Sequence, residues 1–125
     1  MKDNILQQKS FHFAIRSINL YKYLVNTKKE LILSKQLLRS GTSIGANVEE
    51  AIGAQSKKDF SSKLSIAYKE SRESSYWIKL LQQTRYITDL EAESLLNELT
   101  EILKIIGKIQ KTLKSKHNSS SIRNS

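Results

Sequence analysis

The run Gly41-Thr42-Ser43-Ile44-Gly45 spells G-x-S-x-G, the pattern of a hydrolase nucleophile elbow. That pattern is catalytic where the serine sits on a sharp strand-to-helix turn and a histidine and an acid converge on it. Here the preceding residues keep helical periodicity. The two histidines, His12 and His117, lie inside the first periodic segment and in the last polar stretch. Close packing of a second helix against Gly41 and Gly45 accounts better for the glycines, since each costs about 1 kcal/mol of helix propensity relative to Ala. No Gly-Lys-Ser/Thr follows, so the run is not a phosphate loop. The chain has no Cys, which removes thiol nucleophiles, disulfides and Cys-based metal sites. A metal at His12 would need carboxylates from elsewhere. The residues therefore point to no catalytic group, no metal and no cofactor.

A second constellation is polar. Arg39, Ser43, Asn47 and Glu50 share one helical face, opposite Leu37, Ile44 and Val48. Glu70 and Glu73 interrupt an apolar stripe made by Ile66, Trp77 and Leu80. One reading is a solvated face. The sharper one is an interhelical or intersubunit network of hydrogen bonds and salt bridges, in which every buried group must be paired because an orphan costs about 1–3 kcal/mol. Paired carboxylates for acid–base chemistry are a third reading, but nothing in the sequence supplies a substrate pocket.

The third constellation is basic. Lys104, Lys108 and Lys111 fall on one helical face and Lys114 and Lys116 extend it, while Lys2, Lys9 and Arg16 recur every seven residues near the start. The net charge is +9, and it is uneven: residues 102–125 hold six Lys or Arg and no acid, whereas residues 87–101 hold five acids and no base. Such patches are either ordinary solvated faces or a phosphate-contacting surface whose affinity comes from counterion release. No aromatic stacking platform lies among the basic residues, and no known nucleic-acid module appears.

Four amphipathic segments must position these groups. They are expected over about 3–25, 31–53, 57–84 and 89–113, followed by a disordered polar tail over 115–125; the bundle proper would occupy 1–114. The first segment is apolar on two sides: Leu6, Phe13, Leu20 and Leu24 form one stripe, and Phe11, Ile15, Ile18 and Val25 another. Both sides need cover, one from the bundle core and the other from a neighbouring subunit. The third segment carries a heptad seam, Phe60, Leu64, Ala67, Ser71, Ser74, Ile78 and Leu81, and the fourth carries Leu95, Leu99, Ile102, Ile106, Ile109 and Leu113. Thr27/Glu30, Ser56/Asp59 and Thr88/Glu91 all have capping-box spacing ahead of a periodic segment. Short breaks between long helices predict an antiparallel up-down-up-down four-helix bundle. The 125 residues contain no Pro, which suits uninterrupted helices, and only 38% apolar residues, below the usual 45–50%. No run of about 18 apolar residues or secretory signal is present, so the expected location is cytoplasmic with no membrane contact.

Residues 38–81 carry a recognisable signature: Arg39, Ser43-Ile44, Asn47 and Glu50, then Ser56-Lys57-Lys58-Asp59-Phe60, then Glu73. This stretch closely resembles the bacterial four-helix-bundle family of 23S rRNA intervening-sequence proteins. Many members have Pro after Ser-Ile where this chain has Gly45, which changes the local helix geometry. The resemblance implies an antiparallel bundle assembled as a ring-like homopentamer. Members were first noticed as reading frames inside insertions in large-subunit ribosomal RNA genes, and for most of them no biochemical activity is established. A related branch, the accessory protein of diversity-generating retroelements, binds nucleic acid and a reverse transcriptase through basic surface. The expectation is thus a non-enzymatic homo-oligomer that binds RNA or DNA without sequence preference. The alternative is an adapter that scaffolds a partner enzyme such as a reverse transcriptase.

Overall fold

The heptad seams and caps become four consecutive helices. In the computed structural model, which describes the backbone of residues 3–124 and the side chains of residues 5–116, these are α1 (Asp3–Asn26), α2 (Leu33–Ile52), α3 (Lys57–Gln83) and α4 (Asp89–Asn124). No strand occurs among the described residues. No helix of the described residues is long and apolar enough to cross a membrane.

Among the described residues, each helix packs against its two neighbours and none across the diagonal, so α1 touches α2 and α4, and α3 touches α2 and α4. Cross-helix partners run in opposite numerical order. Arg39 meets Glu73 while Glu50 meets Lys63, Lys9 meets Glu101 while Arg16 meets Glu98, and Ser61 meets Gln110 while Gln82 meets Asp89. Neighbouring helices are therefore antiparallel, as short connections require.

The core consists of the anticipated stripes. Leu6, Phe13, Leu20 and Leu24 of α1, Leu37, Ile44, Val48 and Ala51 of α2, and Leu95, Leu99, Ile102 and Ile106 of α4 are all buried. On α3 the seam from Leu64 to Leu81 is buried, with Phe60 packed partly against it. Six serines join them: Ser10, Ser17, Ser34, Ser40, Ser71 and Ser74. They are tolerated because each hydroxyl has a hydrogen-bond partner. Ser17 Oγ donates to Phe13 O at 2.9 Å and Ser71 Oγ to Ala67 O at 2.8 Å, and Ser40 and Ser74 share a 2.8 Å bond between α2 and α3. Among the described residues, no buried side-chain N or O lacks a partner, as a well-formed interior requires.

The glycines in α2 serve close packing. A Cβ on Gly41 would lie 2.2 Å from Ser17 Oγ and 2.8 Å from Ser17 Cβ of α1, whereas one on Gly45 would meet Ser10 O at 3.4 Å.

Two boundaries differ from expectation. Thr27 does not cap α2; it lies in the turn after α1, where its N–H donates to Tyr23 O at 2.9 Å and Lys29 takes a left-handed φ of 58°. Glu30 is the cap. Its carboxylate accepts the N–H groups of Ile32, Leu33 and Ser34 at 3.2, 3.0 and 2.7 Å, and its own carbonyl accepts the Ser34 hydroxyl at 2.7 Å. Helix α2 consequently begins at Leu33 rather than 31. The second difference is at α4, which stays helical to Asn124 instead of giving way to an irregular tail at 115; beyond Gly107 no Gly or Pro interrupts it.

The other two caps follow the sequence signal. Ser56 Oγ accepts Asp59 N–H at 3.0 Å. Thr88 and Glu91 bond reciprocally, at 3.1 Å from Glu91 N–H to Thr88 Oγ1 and 3.3 Å from Thr88 N–H to Glu91 Oε1. Helix α3 ends with Arg85 at φ 69°, Tyr86 N–H bonding Leu81 O at 2.9 Å and Arg85 N–H bonding Gln82 O at 3.1 Å, which is a Schellman motif.

The Glu30 cap makes stability depend on pH. Burial, the largest single influence, raises its pKa. The three backbone N–H donors and the Ser34 hydroxyl together outweigh it, so the carboxyl sits below its ordinary value of 4.5. A carboxyl lowered in the folded state stabilises fully above its unfolded pKa and loses that contribution as pH falls through the folded one. Glu30→Ala is expected to lower the unfolding free energy at pH 7 by about 1–2 kcal/mol. In chemical denaturation series, the gap between variant and wild type should narrow below pH 4.5. A gap unchanged at acid pH would refute the charged cap.

Candidate nucleic-acid and subunit interfaces

The heptad turn of α2 and that of α3 bring part of the predicted polar network together. Arg39 Nη1 approaches Glu70 Oε2 at 3.3 Å, and its Nη2 pairs with Glu73. The indole Nε1 of Trp77 donates to the same Glu73 Oε2 at 3.1 Å, and the Trp77 ring meets Tyr76 edge-on at 5.1 Å. Glu50 leaves this cluster and pairs with Lys63 at 3.2 Å. Ser43 and Asn47 stay within α2: Ser43 Oγ donates to Arg39 O at 2.6 Å and Asn47 Nδ2 to Ser43 O at 2.8 Å. The Arg39 side chain is 52% exposed, so within one chain the cluster contributes less than about 1 kcal/mol per pair. The geometry also removes the nucleophile-elbow reading. Ser43 sits within helix α2, and His12, on α1, lies 3.6 Å from Glu98 of α4. No group of three or more His, Asp or Glu side chains among the described residues is placed to hold a metal ion.

The predicted basic residues divide into two sets. Lys9 and Arg16 are engaged between α1 and α4, Lys9 with Glu101 and Arg16 with Glu98, Arg16 also donating to Ser94 Oγ at 2.9 Å. Both reach across the α1–α4 seam to acids three residues apart, Glu98 and Glu101, and act as interhelical ties rather than free cations. Lys104, Lys108, Lys111 and Lys114 are exposed, and none of the ion pairs among the described residues includes them. Lys2 lies outside the described residues. Sequence reasoning did not join Lys57 and Lys58 to this set. They lie where α3 begins, beside the end of the α4 lysine face, and share an open cleft with Lys111 and Lys114. Their adjacency at the start of the third segment, within the Ser56–Phe60 signature, was the available signal.

The second apolar stripe of α1 stays uncovered: Phe11 is 66% exposed, Ile15 43% and Ile18 39%. On the diagonally opposite helix, α3 exposes Tyr76 and Ile66 beside the Arg39–Glu73–Trp77 cluster.

These features define a class: a small all-α bundle whose polar and apolar groupings lie on outer faces and helix seams. The chain belongs to the family of 23S rRNA-intervening sequence proteins, whose family model matches residues 2–108. It is similar to a crystal structure from Bacteroides thetaiotaomicron, described as a protein of unknown function from the S23 ribosomal protein family. That chain is 56% identical, with a TM-score of 0.87, and the match covers 89% of this chain and 99% of that one. No curated protein matches the chain.

Proposed function

We propose that this protein is a non-enzymatic homo-oligomer, a pentamer by family resemblance, that binds RNA or DNA without sequence preference through the lysine face of α4. The observation that carries the binding reading is charge segregation. Wherever the bundle needs its cations for cohesion it pairs them, as at Lys9, Arg16, Arg39 and Lys63. Lys104, Lys108, Lys111 and Lys114 instead stand exposed without such pairs. Point cations of this kind suit phosphates, which they bind with release of counterions.

The assembly reading rests on the two apolar patches. The outward stripe of α1 and the Tyr76 region of α3 face opposite ways, because these helices are diagonal in the bundle. Two different patches on opposite sides favour head-to-tail contacts, which close into rings. A ring would also multiply one modest lysine face into a large basic surface.

Fluorescence anisotropy with labelled RNA tests the binding. The plot of log affinity against log salt should be steep, and Lys104→Glu, Lys108→Glu and Lys111→Glu combined should flatten its slope by roughly 2–3. No binding at low salt, or a triple variant that binds as the wild type does, would overturn the reading. A single protein partner recovered after nuclease treatment would then favour the adapter.

A further inference from the structure

We infer that the cleft between the start of α3 and the far part of α4 grips the phosphate backbone of a nucleic-acid double helix, with Lys57 and Lys58 as its second wall. This rests on the nucleic-acid reading above and assigns its site and the form of its ligand.

The cleft is lined by Lys57, Lys58, Lys111, Lys114 and Lys116 and by no acid. Its floor is held by Gln110, whose Nε2 donates to Ser61 O and Ser65 Oγ, both at 3.1 Å, while Ser61 Oγ donates to Gln110 Oε1 at 3.1 Å. These bonds lock α3 to α4 at that level. With Ser61 opposite Gln110 in an antiparallel pair, Lys57, four residues before Ser61, stands level with Lys114, four residues after Gln110. Like charges thus face each other from two helices, and Lys57 and Lys58 also open α3 at its positive dipole end, where cations are disfavoured. Both arrangements are relieved by a polyanion that runs between the walls.

The lining also selects among polyanions. Apart from the lysines it contains Ser61, Gln110 and Leu113, with no aromatic ring. Single strands are held largely by bases stacking on aromatic side chains. A duplex offers its phosphates to such a surface at high charge density while its bases stay stacked inside, and needs no stacking platform.

The test uses the full chain and 16-base-pair RNA and DNA duplexes beside single strands of equal length, with affinity measured across a salt series. Both duplexes should bind more tightly than the single strands. Lys57→Gln with Lys58→Gln should flatten the duplex salt slope by roughly 2, while Lys57→Arg with Lys58→Arg should keep it. Circular dichroism should show both double variants folded, since all the changed side chains are exposed. Single strands binding as tightly as duplexes would overturn the duplex assignment. A slope unchanged by the Gln pair but flattened by Lys104→Gln with Lys108→Gln would overturn the cleft and leave nucleic-acid binding standing. If no nucleic acid binds the wild type at low salt, the function proposed above falls together with this inference.

Discussion

Gly41→Ala should destabilise the protein by about 1–3 kcal/mol, although alanine is the better helix former by about 1 kcal/mol. The added methyl would sit 2.8 Å from Ser17 Cβ and 2.2 Å from Ser17 Oγ. Rotating the hydroxyl aside gives up its bond to Phe13 O, and the Cβ cannot rotate away at all. Relief therefore requires α1 and α2 to separate, loosening Phe13 in the core between them. Thermal and urea melts of two companion variants provide the contrast. Gly107→Ala meets nothing within 4 Å and should gain up to about 1 kcal/mol. Gly45→Ala makes only a 3.4 Å contact and should be near neutral. Ser17→Gly in the Gly41→Ala background should recover part of the loss. A Gly41→Ala protein as stable as wild type would show that the helices are not held at this separation.

The second large effect concerns assembly. Changing Phe11, Ile15 and Ile18 together to Gln is expected to shift sedimentation from the oligomer to the monomer. Each of these side chains leaves two-fifths to two-thirds of its surface exposed in the single chain. Covering that remainder contributes roughly 1 kcal/mol per residue, so losing three of them weakens each contact about a hundredfold or more. Helix content should persist, because the opposite stripe of α1, from Leu6 to Leu24, is the one that builds the core. Thermal stability should fall only as far as assembly supported it. A monomeric wild type, or a variant that keeps its mass, would refute this interface.

The low apolar content has a physical source that was not read from composition: six serines occupy core positions. Ser71 and Ser74 already fell on the predicted α3 seam, whereas Ser10, Ser17 and Ser40 did not announce themselves. Their burial depends on which helix approaches each one and how closely, and the Gly41–Ser17 contact sets that distance.

The same division runs through the site. Cation spacing on α1 was legible, but its meaning was not. Lys9 and Arg16 looked like a phosphate-binding face until α4 placed Glu101 and Glu98 against them. Arg39, Glu70 and Glu73 were grouped together from spacing; the structure pairs Arg39 with both acids, adds Trp77 and moves Glu50 to Lys63. The lysines of α4 were read as one face of one helix, and Lys57 and Lys58 joined them through antiparallel register.

Periodicity, capping chemistry and the absence of proline were enough to establish four helices, their order and most of the apolar residues of each buried seam, because those properties are local to a helix turn. Two local signals misled. The Thr27/Glu30 spacing misplaced both residues: Thr27 lies in the turn after α1, and Glu30 caps α2 from ahead of the helix rather than from its first turn, beyond a left-handed residue at Lys29. The expected end at residue 113 followed from polarity, which does not stop a helix. Folding in three dimensions settled which charges are paired, which glycine is indispensable and which apolar stripe is left outside. Each of these depends on the register and separation between helices far apart in the chain, and no window of one helix contains that information.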